Sequence, residues 1–410
     1  MFRIRRVPPT LDQFFQPLKG HFHWDHVAYF RLLVLTIAFL WGRRHVANRS
    51  RYLAAEHHRP RCNTFCLVER WDPEAALRQQ AQEWLRSRRP KQGETIYVVL
   101  DDSKKAQRGS TMDAVAKMQD ATTDTYIRGH QSVCASLVCR AHVIPVGIRL
   151  YGTHASCPAG GLSFRTTTAW AAPLIREFKA PTGVKVVVLC AADDLCATVV
   201  KACRAQRVHL ASTRKSHRRL CKLGGKLNAG RDGRHLCRRR RTDTLDLSKP
   251  YGPVHDRFVD AGWLQVSTLG PLHVVFSRTG IAKTIRGLVT DAPTRSAPDV
   301  IRTYDKRWTI APWIQDTQPR LGLGHDQHRS YWAAVTHLHL VGFADALLTH
   351  LRIERHGAQG RRTRATAADL STATAPDQLR GLLWGDLIIY LKEKRHSPSV
   401  IEELERLRVA

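Results

Sequence analysis

The order of short apolar segments between residues 94 and 213 constrains the fold more than any other feature of this chain. β-Prone runs and segments of helical periodicity succeed one another as strand, strand, strand, helix, strand, helix, strand. The predicted strands are residues 96–100, 133–139, 144–151, 184–189 and 208–211, and the predicted helices are about 166–178 and 195–206. Strands that begin together and then alternate with helices are typical of a sheet with helices on its faces. We therefore predict an α/β fold with a mixed sheet flanked by helices.

The segments on either side of this series differ from it in character. The N-terminal part has apolar residues at helical spacing and a helix-start signal at Asp72 and Pro73. After residue 213, short β-prone runs lie between Gly, Pro and Asp turn signals, until helical periodicity returns near Val300. The predicted domains are 1–93, a helical DNA-binding region; 94–213, the first part of the core; 214–290, a basic β-rich insertion; 291–351, the final helices of the core; and 352–410, a linker with C-terminal helices.

The chain is strongly basic. It has 65 Lys and Arg residues against 35 Asp and Glu residues, which gives a formal net charge of +30. Such an excess draws a protein to polyanions through counterion release and long-range attraction. Nucleic acids, membrane surfaces and acidic proteins are all polyanions, so charge alone does not choose among them. The 43% hydrophobic content is enough for a large core.

No export or membrane signal competes with a nucleic-acid partner. The most apolar run, residues 32–41, is far shorter than the roughly 20 residues that a membrane-spanning helix needs. It also lies too far from the N-terminus to make a signal peptide, so we interpret it as a buried helix. The ten cysteines are scattered, often in or beside apolar strands, as reduced thiols are in cytoplasmic proteins. We therefore expect a cytoplasmic location.

Two predicted strands end at positions where carboxylates could collect. Asp101 and Asp102 follow strand 96–100, and clustered carboxylates are the oxygen ligands that Mg²⁺ prefers. Two acids at a strand end also begin turns, which is the simpler interpretation of this pair taken alone. Strand 184–189 is followed within a few residues by Ala191 and then by Asp193 and Asp194.

A third group of residues lies on a predicted helix near residue 310. Tyr304, Arg307, Ala311 and Gln318 are separated by two, three and six residues. These positions, the Asp-Asp-Ser-Lys-Lys segment at 101–105, the Ser-Thr-Arg-Lys-Ser segment at 212–216 and the Leu-Gly-Leu-Gly segment at 321–324 resemble elements of the DDE transposases of bacterial insertion sequences. In that family Tyr, Arg, Glu and Lys have the same separations. The resemblance implies an RNase H-like fold, in which the predicted order of strands and helices is also found.

The resemblance assigns a role to each acid position. Asp102 would be the first catalytic acid and a metal ligand, and Asp101 is the less favoured of the pair. Ala191 stands where the family has the second acid, an Asp, and Ala311 where it has the third, a Glu. Asp193 is a candidate substitute for the second acid, although a shift of two residues along an extended chain moves a carboxylate by several ångströms.

Other positions are expected to contact DNA. Tyr304 and Arg307 would contact the backbone near the cleaved end, and Gln318 replaces the family's phosphate-contacting Lys. The predicted DNA-binding residues are Tyr304, Arg307, Gln318, Lys215, Arg238, Arg239, Arg240 and Arg241. For the four consecutive arginines the alternative is a solvated charged face, and for Tyr304 and Arg307 it is ordinary helix packing.

The reaction that the resemblance implies is DNA cleavage at the ends of a mobile element with Mg²⁺ or Mn²⁺, followed by strand transfer. The partners would be the terminal inverted repeats and target DNA, bound by a homo-oligomer. Two alanines at acid positions predict an impaired copy. The alternative is a non-catalytic DNA-binding relict that competes with an intact transposase. A host RNase H-like nuclease is disfavoured, because the Tyr-Arg spacing and basic insertion have no obvious use there.

A zinc site is also disfavoured. Its candidate ligands would be His57, His58, Cys62 and Cys66. Structural zinc usually has two separated pairs of ligands, whereas these four residues are compressed into one short segment.

Overall fold

The computed structural model describes residues 3–4, 7–40, 46–53, 59–67, 71–109, 111–120, 124–140, 142–153, 164–215, 218–222, 225–229, 243–249, 252–279, 285–293, 295–358 and 375–393. The described strands all belong to one mixed sheet. Helices lie on both faces of it. The N-terminal helices pack with the long helix near residue 340, and the C-terminal helix packs against the same group.

The strands are β1 (Thr95–Ala106), β2 (Ala116–Asp120), β3 (Thr125–Cys139), β4 (His142–Tyr151), β5 (Lys185–Cys190), β6 (His209–Thr213), β7 (Leu220–Lys222), β8 (Gly225–Ala229), β9 (Asp243–Lys249), β10 (Gly252–Val266), β11 (Gly270–Thr279) and β12 (Arg286–Thr290). The α-helices are α1 (Asp12–Phe15), α2 (Trp24–Phe39), α3 (Val46–Ser50), α4 (Arg59–Leu67), α5 (Pro73–Ser87), α6 (Thr167–Glu177), α7 (Ala197–Ala205), α8 (Ala297–Asp305), α9 (Ile310–Leu321), α10 (Tyr331–Ala358) and α11 (Ala375–Glu393). Short 3₁₀ helices cover Pro9–Leu11, Gln16–His21 and Lys306–Thr309.

The centre of the sheet has the predicted mixed arrangement. Strands β1, β5 and β6 lie side by side and parallel. On the other side of β1, β3 pairs with it antiparallel, and β4 pairs antiparallel with β3. The helices α6 and α7 form the connections before β5 and before β6. The predicted α/β class, with a mixed sheet flanked by helices, is confirmed.

The β-rich segment after β6 extends this sheet. Its last strand, β12, pairs antiparallel with β6, and β11 and β10 follow in order. Strands β7 and β9 then pair with β10, and β8 pairs with β7. The predicted insertion is therefore rich in β-structure, and its described strands continue the central sheet.

Alternation along the central strands divides the core between the two faces of the sheet. Val99 and Leu189 belong to the apolar cluster that contains residues of α2, α9 and α10. Val98, Leu100 and Val188 belong to the cluster that contains residues of α6 and α7. Because successive side chains of a strand point to opposite faces, this division also fixes which polar residues at the strand ends face α9.

The helices outside the sheet follow their sequence signals. Asp72 caps α5, since its Oδ1 accepts hydrogen bonds from the backbone nitrogens of Glu74 at 3.0 Å and Ala75 at 2.9 Å. Residues 32–39 of α2 are all buried, as predicted for the apolar run. None of the helices in the described part of the chain combines the length and the apolar character needed to cross a lipid bilayer.

Candidate active site

Two of the predicted site positions follow the paired parts of the parallel strands. Strands β1 and β5 pair in a register whose last pair joins Val99 to Leu189. Asp101 and Ala191 each lie two residues beyond that last pair, and Ala191 is the first residue after β5. Both positions therefore belong to the end of the sheet at which β1 and β5 stop pairing.

Alternation of the strand separates the two aspartates of β1. Asp101 is two residues from Val99 and shares its face, the face covered by α9. Asp102 shares the face of Leu100, which is covered by α6 and α7. Its Oδ2 accepts a hydrogen bond from Gln131 Nε2 at 2.7 Å and lies 3.8 Å from Lys104 Nζ. Asp101, the less favoured of the pair in the prediction from sequence, is therefore the aspartate on the face of α9, and Asp102 lies on the opposite face of β1.

The Tyr-Arg segment does not form one continuous helix. Tyr304 lies near the end of α8, Arg307 lies in the 3₁₀ helix Lys306–Thr309, and Ala311 and Gln318 lie on α9. Pro312 falls in the first turn of α9, where a missing backbone donor is tolerated. The break therefore sits between Arg307 and Ala311, before the proline.

Arg307 connects this segment to the end of β1. Its Nη1 donates to Asp101 Oδ2 at 3.1 Å, and its Nε donates to Tyr304 Oη at 3.1 Å. Tyr304 Oη in turn lies 3.2 Å from Thr213 Oγ1 at the end of β6. Burial raises the pKa of Asp101 above its ordinary value, and the charge of Arg307 opposes that rise only in part.

Tyr304 and Arg307 are packed inside the protein. Tyr304 is 4% exposed and Arg307 is 8% exposed, and the guanidinium carbon of Arg307 lies 4.4 Å from the ring centre of Trp308. Their described hydrogen bonds hold the strand ends and the helix together.

Gln318 forms the second connection between α9 and β1. Its Nε2 donates to Ser103 Oγ at 3.1 Å and lies 3.5 Å from the carbonyl oxygen of Lys104. Ala311 lies seven residues, close to two turns, before Gln318 on α9, so the two residues share one side of that helix. That side of α9 is the one from which Gln318 contacts β1.

The two aspartates after β5 occupy very different positions. The side chain of Asp193 is 89% exposed and pairs with Lys215 Nζ at 2.8 Å. Asp194 is only 6% exposed. Burial raises its pKa to about 7, with further increases from the negative charges of Asp102 and Asp101. Asp194, and not the predicted Asp193, is thus the buried carboxyl group near the aspartates of β1.

The buried position of Asp194 was not predicted from the sequence. The signal that could have found it is the short distance between the end of β5 and the first turn of α7, which forces one residue of the Ala-Ala-Asp-Asp-Leu segment inward. Leu195 is fully buried against α7, and its backbone nitrogen donates to the Ala191 oxygen at 3.2 Å. That tight turn places Asp194 inside and leaves Asp193 outside.

Two other predicted groups are only partly covered by the structure. Arg238, Arg239, Arg240 and Arg241 lie outside the described residues, as do His57 and His58. Cys62 and Cys66 are buried on α4, and burial raises the pKa of the Cys62 thiol to about 11. A thiol with so high a pKa is a poor metal ligand, because metals bind the thiolate.

The acids at this edge do not fit a two-ion site. Within the ranges that the structure describes, no three His, Cys, Asp or Glu side chains are grouped so that they could hold a metal ion. Asp101 and Asp102 point to opposite faces of β1, and the carboxylate of Asp101 already accepts from Arg307. Ala191 and Ala311, at the two other positions expected to carry acids, have no ligand atoms in their side chains.

Comparisons with known proteins identify no family for the chain. No protein-family model matches it, and no curated protein matches it. Among solved structures, it is similar to a cryo-EM structure of a piggyBac transposase synaptic complex with hairpin DNA. That alignment covers 94% of this chain and 76% of the other, with 8% identical residues and a TM-score of 0.47.

Proposed function

We propose that this chain is a DNA-binding protein with the architecture of a DDE transposase and an impaired cleavage centre. One observation carries the proposal: Arg307 donates a hydrogen bond to Asp101 at 3.1 Å, across 206 residues of sequence. This bond supports the proposal because it joins the Tyr-Arg segment to the Asp-Asp-Ser segment, two of the elements in which the chain resembles the transposases. In that resemblance Ala191 and Ala311 stand at the second and third acid positions, which is the basis for proposing an impaired centre.

The charge of the site explains why cleavage should be weak. Two-metal phosphodiester cleavage needs several carboxylates to hold both ions against their mutual repulsion. Here the guanidinium of Arg307 supplies the positive charge beside Asp101. Without ligands at 191 and 311, the developing negative charge of a reacting phosphate would have no pair of ions to stabilise it.

DNA binding does not depend on the missing acids. The net charge of +30 favours many phosphate contacts, and part of it is concentrated in Arg238–Arg241. We propose that the chain binds the terminal repeats of its own element and target DNA, as a homo-oligomer on that DNA. As a non-catalytic occupant of the ends, it would compete with an intact transposase.

Fluorescence anisotropy with a labelled duplex tests the binding part of the proposal. The logarithm of the association constant should fall steeply with the logarithm of salt concentration. Replacing Arg238, Arg239, Arg240 and Arg241 together by Ala should reduce the slope by up to about four. The matched control replaces four dispersed, exposed arginines (Arg86, Arg89, Arg176 and Arg204). An unchanged slope for the first variant would mean that the run is a solvated face.

A strand-cleavage assay tests the catalytic part. The chain as it stands is compared with the double variant Ala191→Asp, Ala311→Glu on DNA from the ends of its element, with Mg²⁺. We expect cleavage only by the double variant. A third protein, Ala192→Asp with Ala311→Glu, controls for added charge at the wrong position. Equal cleavage by the unmodified chain would show that other carboxylates complete the site.

Asp194 supports one second candidate function, a transposase that retains activity. Its buried carboxyl group lies near Asp101 and Asp102, so it is the described acid best placed to replace the one missing at 191. In that case the unmodified chain would cut end DNA, and Asp194→Asn would abolish cleavage while Asp193→Asn would not. Salt-dependent binding to DNA would be the same for all three proteins.

A further inference from the structure

A cleft of about 720 Å³ lies at the edge of the sheet opposite the candidate active site. The first residues of β5 and β6, Lys185 and His209, line it, together with the C-terminal ends of α6 and α7. Its volume falls in the range of roughly 300–1,000 Å³ that is usual for small-molecule sites. None of the positions in the transposase-like signature reaches this edge.

The floor of the cleft is apolar. Its half-buried apolar side chains are those of Ala180, Val184 and Val208. These three residues pack against the apolar cluster between the sheet and the helices α6 and α7. A bound molecule would therefore place its apolar part against side chains that the core supports from below.

The mouth of the cleft is positively charged. Lys179, Lys185 and Arg207 are exposed and come from three different elements of the fold. Lys179 Nζ donates to Gln206 Oε1 at 2.8 Å, which joins the ends of α6 and α7 across the mouth. Among the described residues that line the cleft, none is Asp or Glu. The charge at the mouth is thus not neutralised from within the lining.

Arg207 is held in an unfavourable backbone conformation. Its φ angle is 54°, in the left-handed region that favours glycine. The backbone nitrogen of Val208 donates to the Cys203 oxygen at 3.0 Å, the closing bond of a helix end that usually has glycine at this position. An arginine here places a cation at the mouth at the expense of backbone strain, as is common at functional sites.

We propose that this cleft binds a small molecule with an apolar body and one anionic group. The apolar body would lie on the valine floor, and the anion would lie between Lys179, Lys185 and Arg207. A DNA phosphate does not suit this site, because the backbone of a duplex cannot bury an apolar group on that floor. The proposal is independent of the proposed function.

Isothermal titration of the full chain with two matched probes tests this. The probes are naphthalene-1-sulfonate and 1-naphthalenemethanol, which share the apolar ring system and differ in charge. We expect one sulfonate per chain, bound more tightly than the alcohol. Arg207→Gly and Lys185→Gln should each lower the affinity for the sulfonate by about two- to fivefold, the range for exposed charge pairs. Neither substitution should change the affinity for the alcohol.

The variants separate binding from folding. Arg207→Gly removes the cation and relieves the left-handed backbone, so its thermal stability should be equal or higher. Lys201→Gln, an exposed residue of α7 outside the cleft, is the charge-matched control and should have no effect on either probe. Thr182→Trp, an exposed lining residue, should block both probes. The proposal would be overturned if the two probes bound equally well. It would also be overturned if Lys201→Gln and Arg207→Gly changed sulfonate binding equally, or if Thr182→Trp bound the probes as the unmodified chain does.

Discussion

Replacing Asp194 by Asn should stabilise the protein at alkaline pH and have much less effect in acid. Asp194 is buried between Asp102 and Asp101 on one side and the first turn of α7 on the other, with Arg307 as the opposing positive charge. Asn keeps the shape of the side chain and removes its titration. The difference between the two proteins therefore reports on the carboxyl group alone.

The sign and size follow from the pKa of Asp194, which rises from its ordinary 3.8 to about 7 in the folded protein. A raised pKa means that the folded state holds the proton more tightly. The stability this contributes is complete below pH 3.8 and is lost as pH rises to about 7. Each pH unit in that interval corresponds to about 1.4 kcal/mol. The whole loss is about 4 kcal/mol, of which about 3 kcal/mol falls between pH 5 and pH 8.5.

Urea unfolding followed by tryptophan fluorescence at pH 5 and pH 8.5 measures this difference. Between these pH values the stability of Asp194→Asn relative to the unmodified protein should rise by about 3 kcal/mol. Asp193→Asn is the matched control. Its carboxylate is 89% exposed, so its relative stability should change little with pH. If the relative stability of Asp194→Asn were the same at both pH values, Asp194 would not be the buried acid of this site.

Three further sets of substitutions test ion pairs and a buried charge. Asp101→Asn and Arg307→Gln, alone and together, should give a coupling free energy of at least about 1 kcal/mol in thermal unfolding, and additive effects would mean that the 3.1 Å pair is energetically unimportant. Arg149→Met should lower the free energy of unfolding by about 2 kcal/mol, because it removes the cation of β4 that pairs with Glu74 of α5 and Glu177 of α6 and leaves only Arg78 beside them. Arg49→Met should change it by less than about 1 kcal/mol or increase it, since Arg49 is fully buried and its Nε and Nη1 have no hydrogen-bond partner among the described residues; a loss above about 2 kcal/mol would contradict this.

The sequence predicted the parts of the fold that local patterns determine. Apolar runs and breaks predicted the order of the central strands, and the Asp72-Pro73 signal predicted the start of α5. The hairpin strand β2 was missed because its five residues lack an apolar run. The continuation of the sheet from β6 into β12 was also missed, since pairing between strands distant in sequence depends on the assembled fold and not on either strand's own pattern.

The sequence pattern grouped Tyr304, Arg307 and Gln318 but did not determine which side chains at the strand ends they contact. In the structure Arg307 and Gln318 contact β1, and Tyr304 contacts Thr213 of β6. Choosing between Asp101 and Asp102 required the register of β1, because a shift of one residue turns a side chain to the opposite face. Choosing between Asp193 and Asp194 required the path of the tight turn before α7, which the sequence pattern does not specify.

The charge balance at this edge leads to a last prediction about the two alanines. In the chain as it stands, Arg307 offsets Asp101, and the raised pKa of Asp194, about 7, keeps its carboxyl group partly protonated near pH 7. Ala191→Asp with Ala311→Glu would add two carboxylates beside this pair, and like-charge repulsion would then destabilise the fold unless a cation joined them.

The double variant should therefore melt below the unmodified protein in EDTA and regain stability as Mg²⁺ is added, by about 2.7 kcal/mol at a hundredfold excess over the dissociation constant. The unmodified protein should show no such dependence on Mg²⁺. Thermal unfolding over a Mg²⁺ series, without DNA, measures both, and the single variant Ala192→Asp controls for added charge. Equal stabilisation of the unmodified chain and the double variant would mean that Arg307 does not take the place of a metal ion beside Asp101.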